Sequence, residues 1–342
     1  MSNSPTMKIR RTATLLLLTI IFTAIRANGQ SITTLQQSKS TSIRGLSVVD
    51  DKTAWVSGSK GHIGITADGG KTWTWQQVKD YEKADFRDIE AFSDKEAVIM
   101  SSGTPALILK TADGGKSWQH KYTRTDSAYF LDAMDFKDKQ HGWILGDPIA
   151  GKMLLLNTVD GGDTWQQVAN APIALPNEAS FAASGTCLRT NGTITIVTGG
   201  GSSRIIMSPI NKIKWTAYPL PLTAGKPSEG AFSFATGNGR TIIVGGDYIN
   251  NRRPDSTAYV LSQKRDKTYA PSVNPAGFQS CVEYLSGNFF LSTGTSGSNF
   301  TKDGGKTWEK INDDSYNVCR KAKHGNLVLL AGDGGRIGIF KM

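Results

Sequence analysis

One eight-residue motif occurs four times in this chain, and its spacing confines the sequence to a repeat architecture. The copies of T-x-D-G-G-x-[ST]-W are Thr66–Trp73 (TADGGKTW), Thr111–Trp118 (TADGGKSW), Thr158–Trp165 (TVDGGDTW) and Thr301–Trp308 (TKDGGKTW). Their aspartates, Asp68, Asp113, Asp160 and Asp303, are separated by 45, 47 and 143 residues. The last interval is three periods of about 48, which predicts two degenerate copies inside it. Ser208–Trp215 (SPINKIKW) keeps the first hydroxyl and the Trp, and Ser262–Tyr269 (SQKRDKTY) keeps a hydroxyl, Thr268 and an aromatic ring. The residue types explain themselves as turn chemistry. An Asp carboxylate accepts the N–H groups of a tight turn, and paired glycines allow positive φ there. The hydroxyls tie the turn to itself. Trp73, Trp118, Trp165 and Trp308 supply flat rings for the seam between neighbouring sheets.

The sequence between the boxes repeats too. Residues 131–158 (LDAMDFKDKQHGWILGDPIAGKMLLLNT) read as three strands joined by polar turns, and TWQQV (164–168) as a fourth. Units of about 45 residues with four antiparallel strands are propeller blades. First strands open near Ile43, Phe86, Phe130, Phe181, Ala231, Phe278 and Tyr316, which makes seven blades, with six as the competing count. The seventh unit has three strands of its own. Its fourth is expected from Ile32–Gln37 (ITTLQQ), so that the N-terminal strand closes the ring and no sheet edge of the closing blade is left free. The expected fold is all-β, a seven-bladed propeller of four-stranded antiparallel blades.

Lys8, Arg10 and Arg11 precede an apolar run from Ala13 to Ile25, too short to span a bilayer and suited to a signal peptide. Ala27-Asn28-Gly29 offers a cleavage site; an uncleaved anchor is the competing reading. Residues 1–29 are thus read as a signal peptide and 30–342 as one propeller, exported to a periplasm or secreted. Cleavage removes four basic residues from a chain of net charge +10, leaving 35 basic against 29 acidic side chains. That modest surplus in an exported chain does not point to nucleic acid. No later apolar run is long enough to span a membrane. The three cysteines, Cys187, Cys281 and Cys319, form no scaffold of disulfides, although one bridge is open to them. With no CxxC, no HExxH and four scattered histidines, no metal site and no cofactor are expected.

The boxes, with the F-x-D-x-x-x-G-W-x-x-G run at Phe136, Asp138, Gly142, Trp143 and Gly146, resemble the photosystem II stability/assembly factor-like proteins of the BNR/Asp-box group. Similar also are exported bacterial members often labelled oxidoreductase, through GDP (146–148), EASFAASGTC (178–187), TGGGSSR (198–204) and GGDY (245–248). The resemblance implies a seven-bladed propeller that binds or chaperones other proteins; the photosynthetic members help assemble a membrane complex. Asp boxes also occur in sialidases. Here Arg44 stands in SIRGLS without the Ile-Pro of the sialidase arginine motif, and no complete catalytic constellation accompanies it.

Candidate binding residues gather on the face away from the boxes. Arg44 and Arg87 lie one residue into their first strands, Asp147 and Asp247 with Tyr248 end second strands, Glu178 precedes blade four, and Arg204 follows TGGGSS. Each has a structural alternative: Asp147 as a turn cap, Arg44 and Arg87 as partners of Asp88 or Glu90, and Arg252 and Arg253 as a solvated loop. The chain is expected to be a monomeric, non-enzymatic binding or assembly propeller whose partner is another envelope or secreted protein, or a glycan. The alternative is a carbohydrate-active enzyme or a cofactor-dependent oxidoreductase using Asp147, Asp247 or Glu178 as acid or base. Export with cleavage after Gly29 predicts that the mature chain begins at Gln30, which N-terminal sequencing of protein from the native host will check.

Overall fold

Alternation in the first three strands of each unit and polar residues in the fourth demand a sheet buried deeply at its inner edge and wetted at its outer one. The computed structural model, which describes residue 1, residues 29–262 and residues 268–342, has that gradient. Second strands such as Ala54–Gly58, Ala97–Ser101 and Val328–Ala331 are buried throughout, whereas the fourth strand of blade four, Thr216–Pro219, is exposed throughout. Residues 2–28, which hold the expected signal peptide, lie outside the described residues, as does the middle of the degenerate box at Ser262–Tyr269. No helix among the described residues is long and apolar enough to cross a membrane.

The strands form seven antiparallel sheets arranged as the blades of a propeller, each numbered from its innermost strand outward. Blades one to three open with Ile43–Val48, Phe86–Ala91 and Leu131–Phe136; blades five, six and seven open with Glu229–Gly237, Cys281–Ser286 and Val318–Lys321. Ser31–Gln36 pairs antiparallel with Ile337–Lys341 as the outermost strand of blade seven, closing the ring as the sequence suggests. Ile32 and Leu35 pack on the apolar cluster shared by blades six, seven and one.

Blade four departs from the reading. Its inner strand is only Leu188–Arg189, and it starts well after Phe181. Residues 181–187 instead turn across the ring, with Gly185 at φ 68° against Asp88. A Cβ at Gly185 would lie 2.1 Å from the Asp88 Oδ2, so only glycine lets the chain pass. Two further short strands, Glu178–Ala179 and Gly199–Gly200, pair with each other and, through Gly199 and Gly230, extend the sheet of blade five to six strands.

The four boxes share one geometry. In the first, Asp68 accepts from the Thr66 hydroxyl at 2.8 Å, the Thr72 N–H at 2.9 Å and the Thr72 hydroxyl at 2.6 Å. Thr66 Oγ1 in turn accepts from the Gly70 N–H at 3.0 Å. Asp113, Asp160 and Asp303 repeat these contacts. All eight box glycines have φ between 73° and 88°. The second glycine of each also bears on the preceding blade. A Cβ there would lie 3.0 Å from Leu35 at Gly70, 2.6 Å from Gln76 at Gly115, 3.1 Å from Val98 at Gly162 and 2.8 Å from Ile242 at Gly305. The tryptophans fill the same seams: Trp118 meets Trp55 of blade one edge to face at 6.4 Å, and Trp165 packs on the apolar cluster shared by blades two and three. The ring N–H groups of Trp73, Trp118 and Trp165 donate to the carbonyl of their own box's second glycine, while that of Trp308 is buried without a partner. The degenerate box of blade four keeps part of this scheme, since Ser208 Oγ accepts from the Lys214 N–H at 2.7 Å.

These bonds set the acid limit of the fold. The Thr72 hydroxyl and N–H hold the Asp68 carboxyl at about 2, and Ser117 does the same for Asp113. At Asp160 burial works upward but is outweighed by Thr164 and Thr158, again giving about 2. A carboxyl depressed in the folded state adds stability above its unfolded value near 4, and that stability disappears as pH falls through about 2. Urea midpoints are therefore expected to fall between pH 4 and pH 2, and Asp160→Asn to flatten that fall.

Candidate functional site

Antiparallel order puts every box, between third and fourth strands, on one face of the ring. The turns between second and third strands and the crossings to the next blade form the other face. There the inner strands of blades one, two and three each carry a bulge one residue from the start, where the pairing register slips past Arg44, Arg87 and Asp132, and that of blade five slips past Phe232, three residues in. A bulge adds a residue that the partner strand does not match and re-aims its side chain. The repeat thus places Arg44, Arg87 and Asp132 at equivalent positions around the axial mouth.

Arg44 Nη1 donates to Ser42 Oγ at 2.6 Å, and Ser42 donates to Asp333, which also accepts from Asn317 Nδ2 at 3.1 Å. Burial and the neighbouring Arg87 lower the pKa of Arg44. Arg87 is held by Asp85 at 2.7 Å and lies over the Phe130 ring at 5.7 Å. Asp132 is fully buried, and neither carboxylate oxygen completes a hydrogen bond, although the Ala182 N–H approaches. Burial and Asp147 push its carboxyl well up, with Arg87 opposing. Asp147, which accepts from the Ser180 N–H at 3.2 Å, is itself raised by burial. The mouth therefore holds two guanidinium ions beside two carboxyls that resist ionisation.

Deeper in the channel the inner strands supply a chain of ion pairs. Arg189 reaches Glu283 at 3.2 Å and Asp135 at 3.7 Å, and Arg320 reaches Glu283 at 3.9 Å. Asp88 accepts from the N–H groups of Met134 and Ile89 at 2.7 and 2.9 Å, yet burial outweighs these bonds and the nearby Arg320 and lifts its carboxyl to about 7. Glu90 pairs with Lys323. Arg44 and Arg87 thus take neither Asp88 nor Glu90 as partner.

The other candidates have structural partners. Glu178, with its side chain wholly buried, receives Arg204 through Nε to Oε1 at 2.8 Å and Nη2 to Oε2 at 2.5 Å. Thr198 Oγ1 and the Leu175 N–H complete its shell at 2.6 and 2.8 Å. Asp247 accepts from the Ile249 N–H and Asn250 Nδ2, each at 2.9 Å, and so opens the long loop of blade five. Tyr248 stays half exposed beside an aromatic group in which Phe181 stacks on Phe232 at 3.7 Å and Phe232 meets Phe278 at 4.7 Å. Ile249, next to it, is 71% exposed. Asp147, Asp247 and Glu178 line neither of two surface depressions, of about 570 and 340 Å³, that sit around Lys226 with Arg253 and around Arg240 with Tyr269. Asp85, Asp132 and Asp333 escaped the sequence reading. Aligning IRGL, FRDI and LDAM on the repeat would have singled out Asp132.

These features define a seven-bladed Asp-box propeller with a polar axial mouth opposite its boxes. Residues 75–200 match the family model of the photosynthesis system II assembly factor YCF48. Among solved structures, YCF48 bound to a D1 peptide superposes with a TM-score of 0.64 at 17% identity, covering 92% of this chain and 97% of that one. YCF48 from Cyanidioschyzon merolae gives 0.59 at 14% identity, covering 91% and 98%. The Pan2 WD40 domain of Neurospora crassa gives 0.62 at 17%, covering 90% and 94%. No curated protein matches the chain. The chain is a seven-bladed β-propeller that over residues 75–200 is similar to the YCF48 assembly factors.

Breaking a buried ion pair from one side leaves an uncompensated charge. Arg204→Ala is therefore expected to lower the unfolding free energy by about 3 kcal/mol in urea titrations.

Proposed function

We propose that this protein is an exported, non-enzymatic assembly-factor-like propeller that engages another envelope or secreted protein through the face opposite the Asp boxes. The observation that carries the reading is the pair Arg44 and Arg87 at the axial mouth, flanked on the same face by the exposed Tyr248 and Ile249. Paired guanidinium groups present fixed forks of donors to carboxylates, and an aromatic ring with a polar tip is a favourable anchor at an interface. Support comes from YCF48, whose solved structure carries a D1 peptide on a ring of the same fold. The carboxylates that an enzyme would need are bound up separately: Glu178 with Arg204, Asp247 within its turn, and Asp147 beside Asp132.

A photo-crosslinking amino acid at position 248 is expected to capture a protein from the native envelope. The same group at position 159, exposed on the box face, should capture none. Arg44→Ala with Arg87→Ala should weaken binding to the captured protein at least tenfold, on the scale of interface arginines. Absence of any adduct from position 248, together with turnover of a glycoside panel that Asp147→Asn abolishes, would replace this reading with the enzymatic one.

A further inference from the structure

We propose that Cys281 and Cys319 form an oxidisable dithiol whose disulfide covalently staples the inner strand of blade six to that of blade seven. Both side chains are wholly buried and project into the seam between those two strands. The Cys281 thiol donates to the Cys319 carbonyl at 3.3 Å and accepts from the Thr186 hydroxyl at 3.8 Å. The Cys319 thiol crosses the seam in the other direction and donates to the Leu291 carbonyl of blade six at 3.8 Å. Inner strands of neighbouring blades have no backbone ladder between them, so a bond here would add a connection that the sheets do not provide. It would close a span of 38 residues at the blade where the ring itself closes.

The electrostatics favour a first attack by Cys281. Burial opposes its ionisation, but the Cys319 thiol and the nearby Arg320 outweigh burial and lower its pKa, while Cys319 is raised. Only the thiolate is nucleophilic. The oxidant is a low-molecular-weight disulfide met while the blade seam is open during folding. The Cys281 thiolate attacks one sulfur of that disulfide and expels one thiolate. Cys319 then loses its proton and attacks the Cys281 sulfur of the mixed disulfide, expelling the second. The protein gives up two electrons and two protons, and one small disulfide becomes two thiols. Cys187 is excluded from the exchange. Its thiol donates to the Phe181 carbonyl at 3.6 Å in blade four, and burial pushes its pKa upward.

The test refolds the full chain from urea with and without oxidised glutathione, then counts maleimide-reactive thiols in denaturant and maps the peptides. One reactive thiol, Cys187, and a reducible peptide joining Cys281 to Cys319 are expected. The thermal midpoint should rise on the order of 5 °C over the reduced protein. Cys281→Ala and Cys319→Ala should each leave two reactive thiols and lose that rise, while Cys187→Ala should keep the bridge. The same count on protein isolated from its native host, alkylated on lysis, covers the case in which refolding from urea fails. Three reactive thiols in natively folded protein after exposure to oxidant, a mixed disulfide at Cys281 that never resolves, or a bridge involving Cys187 would overturn the assignment.

Discussion

A carboxylate closed on two hydroxyls and a backbone N–H is the contact on which the ring depends. It fixes two successive glycines at positive φ, and the second glycine, lacking a Cβ, lets the preceding blade come into contact. Spacing between blades is thus set by a turn at the rim. That explains why the motif recurs with so little variation inside the chain. It also explains why blades four and five, whose boxes have degenerated, are joined differently. There the short pairing of Glu178–Ala179 with Gly199–Gly200, held by Arg204 on Glu178, connects the two sheets on the opposite face.

Charge is distributed by the same geometry. The inner strands face a narrow axis, so polar side chains placed there must find one another or give up their charge. Arg189, Glu283, Arg320 and Asp135 do the first. Asp132 and Asp88 tend to the second, their carboxyls raised by burial. At the mouth, the bulges lift Arg44 and Arg87 out of the ladder, and both guanidinium groups stay partly exposed beside Ser42 and Asp85.

Much of the fold was legible because it is written locally. Each box contains its own hydrogen-bond partners within five residues, and the ITTLQQ strand carries an alternation that only a missing outer strand could use. Blade four was misread because Phe181 and Cys187 mimic a first-strand pattern while Gly185, a non-local requirement imposed by Asp88, forces a turn between them. The pairings among the candidate residues were less legible than the face they occupy. Glu178 and Arg204 are 26 residues apart and meet only because the TGGGSS turn folds back, so their pairing could not be read from either neighbourhood. Asp132 was passed over because an isolated Asp in an apolar strand looks unremarkable until it is aligned with Arg44 and Arg87.

The strand Ser31–Gln36 pairs with Ile337–Lys341, near the other end of the sequence. Contacts of such long range bear the largest loop-closure cost and form late. During synthesis the first strand must therefore wait, unpaired, until the last blade has arrived. An amphipathic strand with an open edge is a template for misplaced pairing during that interval. The architecture thus makes the wait for the final strand the most vulnerable moment in the life of the molecule.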